Sequence, residues 1–317
     1  MPLTDVAFSR RDPYSVVLAT CGYERRSSYL ARIIAAPKLG LALIHDENRV
    51  ASFDDNFGIY RDRGWLTDKL DVLLDRASAA LKGAKPSMAI DISSMPRSVM
   101  AAVVEWIIQK TDVDVDIDFL YCPADFAMSA AAASRVEQLT AGPIDDYFSG
   151  AIRPPTLPIA LIMGLGLERY RGLGMVELLE PSRTWAFVAQ GEDSRFAQVA
   201  MQVHDQLLNA RNSKVVTYDV YSLASTYQAL ESLCFGLGPR HRIVLAPSGP
   251  KIFSLASMLV AATRSPFRPA VWRVGSAGSA TPADVIESGE VIASRVRLTS
   301  NLRDLVVNGP IGAPGGW

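Results

Sequence analysis

Two short polar clusters in this chain carry residue types suited to phosphate chemistry, and each occurs twice. Gly22-Tyr23-Glu24-Arg25 returns as Gly166-Leu167-Glu168-Arg169, with glycine, glutamate and arginine each displaced by 144 positions. Ser93-Ser94-Met95-Pro96-Arg97 returns around Ser248-Gly249-Pro250-Lys251, with the second serine, the proline and the cation each displaced by 154. Arg97 and Lys251 bring positive charge, and Ser94 and Ser248 bring hydroxyls that can cap a helix or touch a ligand. Gly22 and Gly166 suit a tight turn or a close ligand approach. The first copy is richer in reactive types: Cys21, Glu24, Arg25, Arg26, Asp91, Ser93, Ser94 and Arg97 all stand near predicted strand ends. A carboxylate there, Glu24 or Asp91, is a candidate general base, and Arg97 a candidate stabiliser of developing phosphate charge. Asp91 is matched by Leu245 in the second copy, so an acid at that place is not required by the repeat.

Each cluster also has a purely structural reading. Ser-x-Pro-Arg/Lys describes a well-started helix with a surface charge, and Glu24 and Glu168 suit a first helical turn through the helix dipole. Recurrence of both clusters in the same sequential place weighs toward ligand contact. Neither loop has the Gly-Lys-Ser/Thr triplet of a Walker A loop, and Gly164-Leu165-Gly166-Leu167-Glu168-Arg169 lacks the third glycine of a dinucleotide fingerprint. His45, His204 and His241 fall in three different elements, and the residues form no Ser-His-Asp set or metal-ligand spacing.

The elements that must position these residues alternate. Short apolar runs such as Val16 to Ala19 and Ile159 to Met163 read as strands buried on both faces, separated by helix-length segments. Strands are expected near Val16–Thr20, Leu41–His45, Met88–Ile92 and Val115–Tyr121, with helices near Arg26–Ala36, Leu66–Leu81 and Pro96–Gln109. The second copy predicts strands near Ile159–Met163, Thr184–Ala189, Lys214–Val220, Arg242–Ala246 and Ala270–Val274. Its helices are expected near Tyr170–Leu179, Arg195–Ala210, Leu223–Leu237 and Pro250–Thr263, and a late strand near Val291–Leu298. The expected fold is α/β: two tandem, duplicated Rossmann-like domains, each a mainly parallel sheet flanked by helices. The proline-rich stretch Gly142 to Pro158 divides them, giving domains at 1–150 and 151–317, the second with a C-terminal strand extension. In such sheets ligands bind beyond the carboxyl ends of the strands, where both repeated clusters stand.

A chain of 317 residues suffices for two cores, and a formal net charge of −1 argues against a protein that coats duplex nucleic acid. Three cysteines without paired spacing predict a reduced, metal-free protein, and no run is apolar enough for a membrane span, so a cytoplasmic location is expected.

Ala246-Pro247-Ser248-Gly249-Pro250-Lys251, followed by the apolar helix Ile252 to Ala262, resembles the ligand-binding turn of CARF domains, the CRISPR-associated Rossmann-fold family, and of their SAVED relatives. Asp91-Ile92-Ser93-Ser94-Met95-Pro96-Arg97 is a looser version of the same pattern. The resemblance implies a sensor of nucleotides or cyclic oligonucleotides in antiviral defence, with Ser248, Gly249, Lys251, Ser94 and Arg97 holding ligand phosphates. It implies no cofactor. An Arg-x4-6-His ribonuclease motif of the HEPN kind is not present, so a sensor of this type would act on a separate effector protein. Two other readings stay open: a nucleotide- or phosphosugar-processing enzyme with the first domain catalytic through Glu24, Asp91 and Arg97, and a protein-interaction scaffold. The candidate ligand-contacting positions are Gly22, Arg25, Ser93, Ser94, Gly166, Glu168, Arg169, Ser248, Gly249 and Lys251.

Overall fold

The computed structural model describes residues 2–10, 13–44, 49–82, 86–109, 114–126, 138–168, 170–262, 266–277 and 284–298; Arg169 and His45 lie outside them. The fold is α/β, with two mixed, mostly parallel sheets flanked by helices. In the first half the parallel strands are β2 (Val16–Cys21), β3 (Leu39–Ile44), β4 (Leu66–Asp68), β5 (Ser87–Asp91) and β6 (Val115–Tyr121). In the second they are β8 (Ile159–Leu165), β9 (Arg183–Gln190), β10 (Ser213–Asp219), β11 (Arg242–Pro247) and β12 (Ala270–Ala277). Both sets run in the spatial order third, second, first, fourth, fifth. The order therefore reverses beside the first strand of each half, between β2 and β5 and between β8 and β11, and opens a crevice at the strands' carboxyl ends. The repeated clusters stand at those two crevices.

The remaining strands are exchanged between the halves. β7 (Gln138–Pro143) follows the first parallel set but pairs antiparallel with β12 of the second sheet, while β13 (Ile292–Leu298) follows the second set but pairs antiparallel with β6 of the first. β1 (Leu3–Val6) then closes the edge of the seven-stranded sheet on β13. The division at residue 150 thus separates the parallel strands, and both exchanged strands cross it. The late strand expected to extend the second sheet lies inside the first, between β1 and β6.

The helix after the fourth strand of each half joins the two halves. α4 (Arg97–Gln109) buries Val99, Met100, Val103, Val104 and Trp106, and its counterpart Lys251–Ala262, here α9, buries every residue from Ile252 to Ala262. They pack on one another, and one apolar cluster runs from Leu18 and Ile90 through Val103 and Leu255 to Leu245 and Phe187. A helix apolar on all sides is stable only inside such a core.

Several expected elements differ. The helix expected over Arg26–Ala36 is a 3-10 turn at Arg25–Ser28 followed by the short α1 (Tyr29–Ile33), after which Ile34 is already extended. The segment Leu66–Leu81 opens with β4 before α3 (Leu70–Ala80), because three residues pairing with β3 are too few to show a periodic pattern. A helix the pattern did not reveal, α2 (Phe53–Asp62), precedes it. After α5 (Arg171–Leu179), the helix expected over Arg195–Ala210 is two, α6 (Ser194–Val203) and α7 (Asp205–Leu208), broken at His204. The drift in repeat spacing is taken up by α7 and by β10, seven residues against three in β4, before α8 (Leu223–Leu237).

Candidate functional site

A cavity of about 440 Å³ opens at the strand ends where the halves meet, and both halves wall it. Seven of the candidate residues line it: Glu24, Arg97, Gly166, Glu168, Ser248, Gly249 and Lys251. Its size lies within the range of roughly 300–1,000 Å³ typical of small-molecule pockets.

The two cations at its base are exchanged across the pseudo-twofold. Arg97 donates from Nη2 to the Gly249 carbonyl at 2.7 Å and from Nε to Ser254 Oγ at 2.9 Å. Lys251 donates to the Met95 carbonyl at 2.6 Å. Met95 and Gly249 occupy the same place in the two copies, so each half's cation closes the other half's turn. All of these acceptors are neutral, and among the described residues no carboxylate lies within ion-pair distance of either cation. Burial lowers the pKa of both, that of Lys251 to about 7, with Glu24 holding it up and Arg26 and Arg97 pressing it further down. A third cation, Arg26, is buried beside them. Burial works against its charge, but the ion pair from Nε to Glu24 at 2.7 Å outweighs that and raises its pKa, and Nη1 donates to the Cys122 carbonyl.

The glycines of the second half serve contact between turns. A Cβ on Gly249 would strike the Leu165 carbonyl, and one on Gly166 would lie 2.7 Å from the Ser248 carbonyl. The Gly166 carbonyl meets Nε2 of His204, the residue between α6 and α7, at 3.1 Å. Glu168 beside it pairs with Arg171 at 3.1 Å. Neither repeated serine caps its helix: Ser94 donates to the Thr20 carbonyl at 3.4 Å, and Ser248 Oγ, buried, has no hydrogen-bond partner.

Five candidates stand away from the cavity wall. The Gly22 N–H is bound to Ser27 Oγ at 2.8 Å and its carbonyl to Asn56 Nδ2 at 2.9 Å, so the first-half turn is fastened by side chains. Arg25 faces outward, its backbone N–H on Asp284. Ser93 Oγ accepts the Cys122 N–H at 2.8 Å, tying β5 to β6, and Ser94 is engaged as described. Asp91 is buried, with Oδ1 accepting the Ser93 N–H at 2.8 Å and Oδ2 unpartnered, and burial pushes its pKa up to about 6 against the hydrogen bonds from Ser93.

Asp91 and Lys251 imply a defined pH dependence. Asp91 titrates higher in the folded chain than its ordinary 3.8, so the folded state binds the extra proton and stability from this group falls as pH rises from about 4 to 6. Lys251 titrates lower than its ordinary 10.5, so the unfolded state binds the extra proton and stability rises with pH from about 7 upward. Asp91→Asn is therefore expected to be more stable than wild type at pH 7, with the difference vanishing toward pH 4. Urea midpoints of both proteins across that range test it, and a difference independent of pH would refute it.

Residues the repeat did not single out complete the cavity. Phe126, Asp193, Phe196 and Tyr221 line it, the last three following the second and third strands of the second half. The strand-end rule is the one signal that could have found them, and the repeat gave no reason to single them out. Tyr121, at the end of β6, is buried against the same wall. Among the described residues no group of three or more His, Cys, Asp or Glu side chains is placed to hold a metal, and no helix is long and apolar enough to cross a membrane.

No family model matches the sequence, and no curated protein matches it. Among solved structures it is similar to a type III CRISPR defence DNA nuclease activated by cyclic oligoadenylate, with 8% identity and a TM-score of 0.47. That likeness covers 77% of this chain and 63% of the nuclease, so the chain spans less than two thirds of the nuclease's length. A second likeness is to phosphoethanolamine N-methyltransferase 1 of Haemonchus contortus, with 9% identity, a TM-score of 0.22, and 75% and 70% of the two chains covered. Both are distant, and what the cavity binds is read from its own residues.

Proposed function

We propose that this chain is a nucleotide-sensing module whose two halves share one site for a nucleotide or cyclic oligonucleotide, acting in antiviral defence or stress signalling through a separate effector protein. The observation that carries the reading is the pair Arg97 and Lys251: two half-buried cations on a cavity wall whose acceptors are all neutral. Buried charge is retained where it is compensated, and a ligand phosphate supplies the missing negative charge. The resemblance of Ser248-Gly249-Pro250-Lys251 to a sensor turn supports the signalling role. Asp91 lies off the cavity wall, which leaves the catalytic alternative with Glu24 and Arg97.

Thermal unfolding against mono-, di- and cyclic oligonucleotides tests the reading. A ligand at a hundred times its Kd adds about 2.7 kcal/mol, a shift of several degrees. A shift with intact ligand is expected. A shift with consumed ligand favours the enzyme, and no shift with any nucleotide refutes both.

A further inference from the structure

The two halves of the site are unequal. In the first half the chain's own segment before β13 lies across the crevice beyond β2 and β3, and the cavity of about 390 Å³ left there is walled by polar and charged side chains such as Arg25, Arg32, Ser52, Asn56 and Asp284, with no aromatic ring among the described residues that line it. Asp284 accepts the Arg25 N–H at 2.7 Å and the Ser52 hydroxyl at 2.8 Å, the Val285 carbonyl accepts the Arg26 N–H at 3.2 Å, Glu287 pairs with Arg32 at 3.2 Å, and the Gly289 carbonyl accepts the Tyr29 hydroxyl at 2.9 Å. In the second half the cavity instead runs on from Lys251 past Ala189 and Gly191, beyond β9, to Val220 and Tyr221, beyond β10. Phe126, Phe196 and Tyr221 give that arm aromatic walls, and Arg195 lies over the Phe126 ring at 4.8 Å.

We propose, resting on the nucleotide reading above, that the ligand sits off the pseudo-twofold: its phosphate on Arg97 and Lys251, and a single base in the aromatic arm of the second half. Every nucleobase has a flat face that stacks on such side chains. The first half contributes cations and no aromatic base seat, because Asp284 to Gly289 cross its crevice and the cavity that remains there has no ring to stack on. The ligand class is a mononucleotide or short linear oligonucleotide. A twofold-symmetric ring needs two equivalent base seats, and the described residues provide one.

Isothermal titration with adenosine 5′-monophosphate, 5′-phosphorylated linear diadenylate and cyclic tetra-adenylate tests this. One linear ligand per chain is expected, bound more tightly than the ring. Tyr221→Ala and Phe196→Ala should each weaken it at least tenfold, with Arg32→Ala, in the first-half crevice, within twofold of wild type. Should the aromatic variants fold poorly, the fluorescence of a 2-aminopurine ribonucleotide on the wild-type protein gives an independent readout. Quenching on binding is expected, and unquenched binding overturns the base seat. Tighter binding of the ring, or equal weakening by Arg32→Ala and Tyr221→Ala, overturns the one-sided site and leaves the nucleotide reading standing. No binding of any nucleotide by the wild-type chain fails that reading and this inference with it.

Discussion

Arg97→Ala is expected to lower the stability of the whole chain by about 2–4 kcal/mol, whereas Lys251→Met is expected to leave stability unchanged or raise it, and each to weaken nucleotide binding roughly ten- to hundred-fold. The contrast follows from what each side chain does in the folded chain. Arg97 makes two charge-assisted hydrogen bonds across the junction, to Gly249 and Ser254, where α4 meets α9. Removing it strips the Gly249 carbonyl of its donor and opens a void at that junction. Lys251 makes one such bond, to Met95, and burial has already lowered its pKa to about 7. A methionine of similar length removes that desolvation cost at the price of one hydrogen bond, and it removes the charge a phosphate needs. Urea unfolding gives the stabilities and calorimetry the affinities. Equal losses of stability in the two variants, with affinity intact in Lys251→Met, would mean that both cations are only fasteners between the halves.

The second large effect concerns the halves themselves. Residues 1–150 expressed alone should form no cooperative monomer. They lack β13, which covers the β6 edge, and carry β7, whose partner β12 is elsewhere. They also expose the part of the apolar helix α4 that packs on α9 of the second half. An unpaired strand edge beside an exposed apolar helix favours association over solubility. Co-expression with residues 151–317 should restore one folded complex, since that piece supplies both β12 and β13. Size-exclusion chromatography and thermal melts decide it; a sharp, monomeric melt of residues 1–150 alone would contradict the account of the exchanged strands.

The parallel strands were legible because strands buried on both faces are written as nearly unbroken apolar runs, as in Val16–Ala19 and Ile159–Met163. Elements with few residues or mixed faces were not. β4 has three residues, β1 four, and α2 follows a stretch with little apolar periodicity. The repeat located both strand-end clusters, since a turn after a parallel strand keeps its place when a half is copied. It did not separate residues facing the cavity from residues fastening the turn. Gly22 shares its type and spacing with Gly166 on the wall, Ser93 and Asp91 stand in the same cluster as Arg97, and only their hydrogen bonds distinguish them.

By itself the sequence determined that this chain is a duplicated α/β protein with a proline-and-cation cluster at a strand end in each copy, because strand periodicity, turn residues and repeat spacing are local and survive duplication. The tertiary structure alone decided that β7 and β13 change places, that Arg97 and Lys251 each reach into the opposite half, and that one crevice is crossed by Asp284 to Gly289 while the other opens onto Tyr221. Those are contacts between residues some 130 to 260 positions apart, settled by the shared burial of α4 and α9 in one core, and no window of sequence contains both partners.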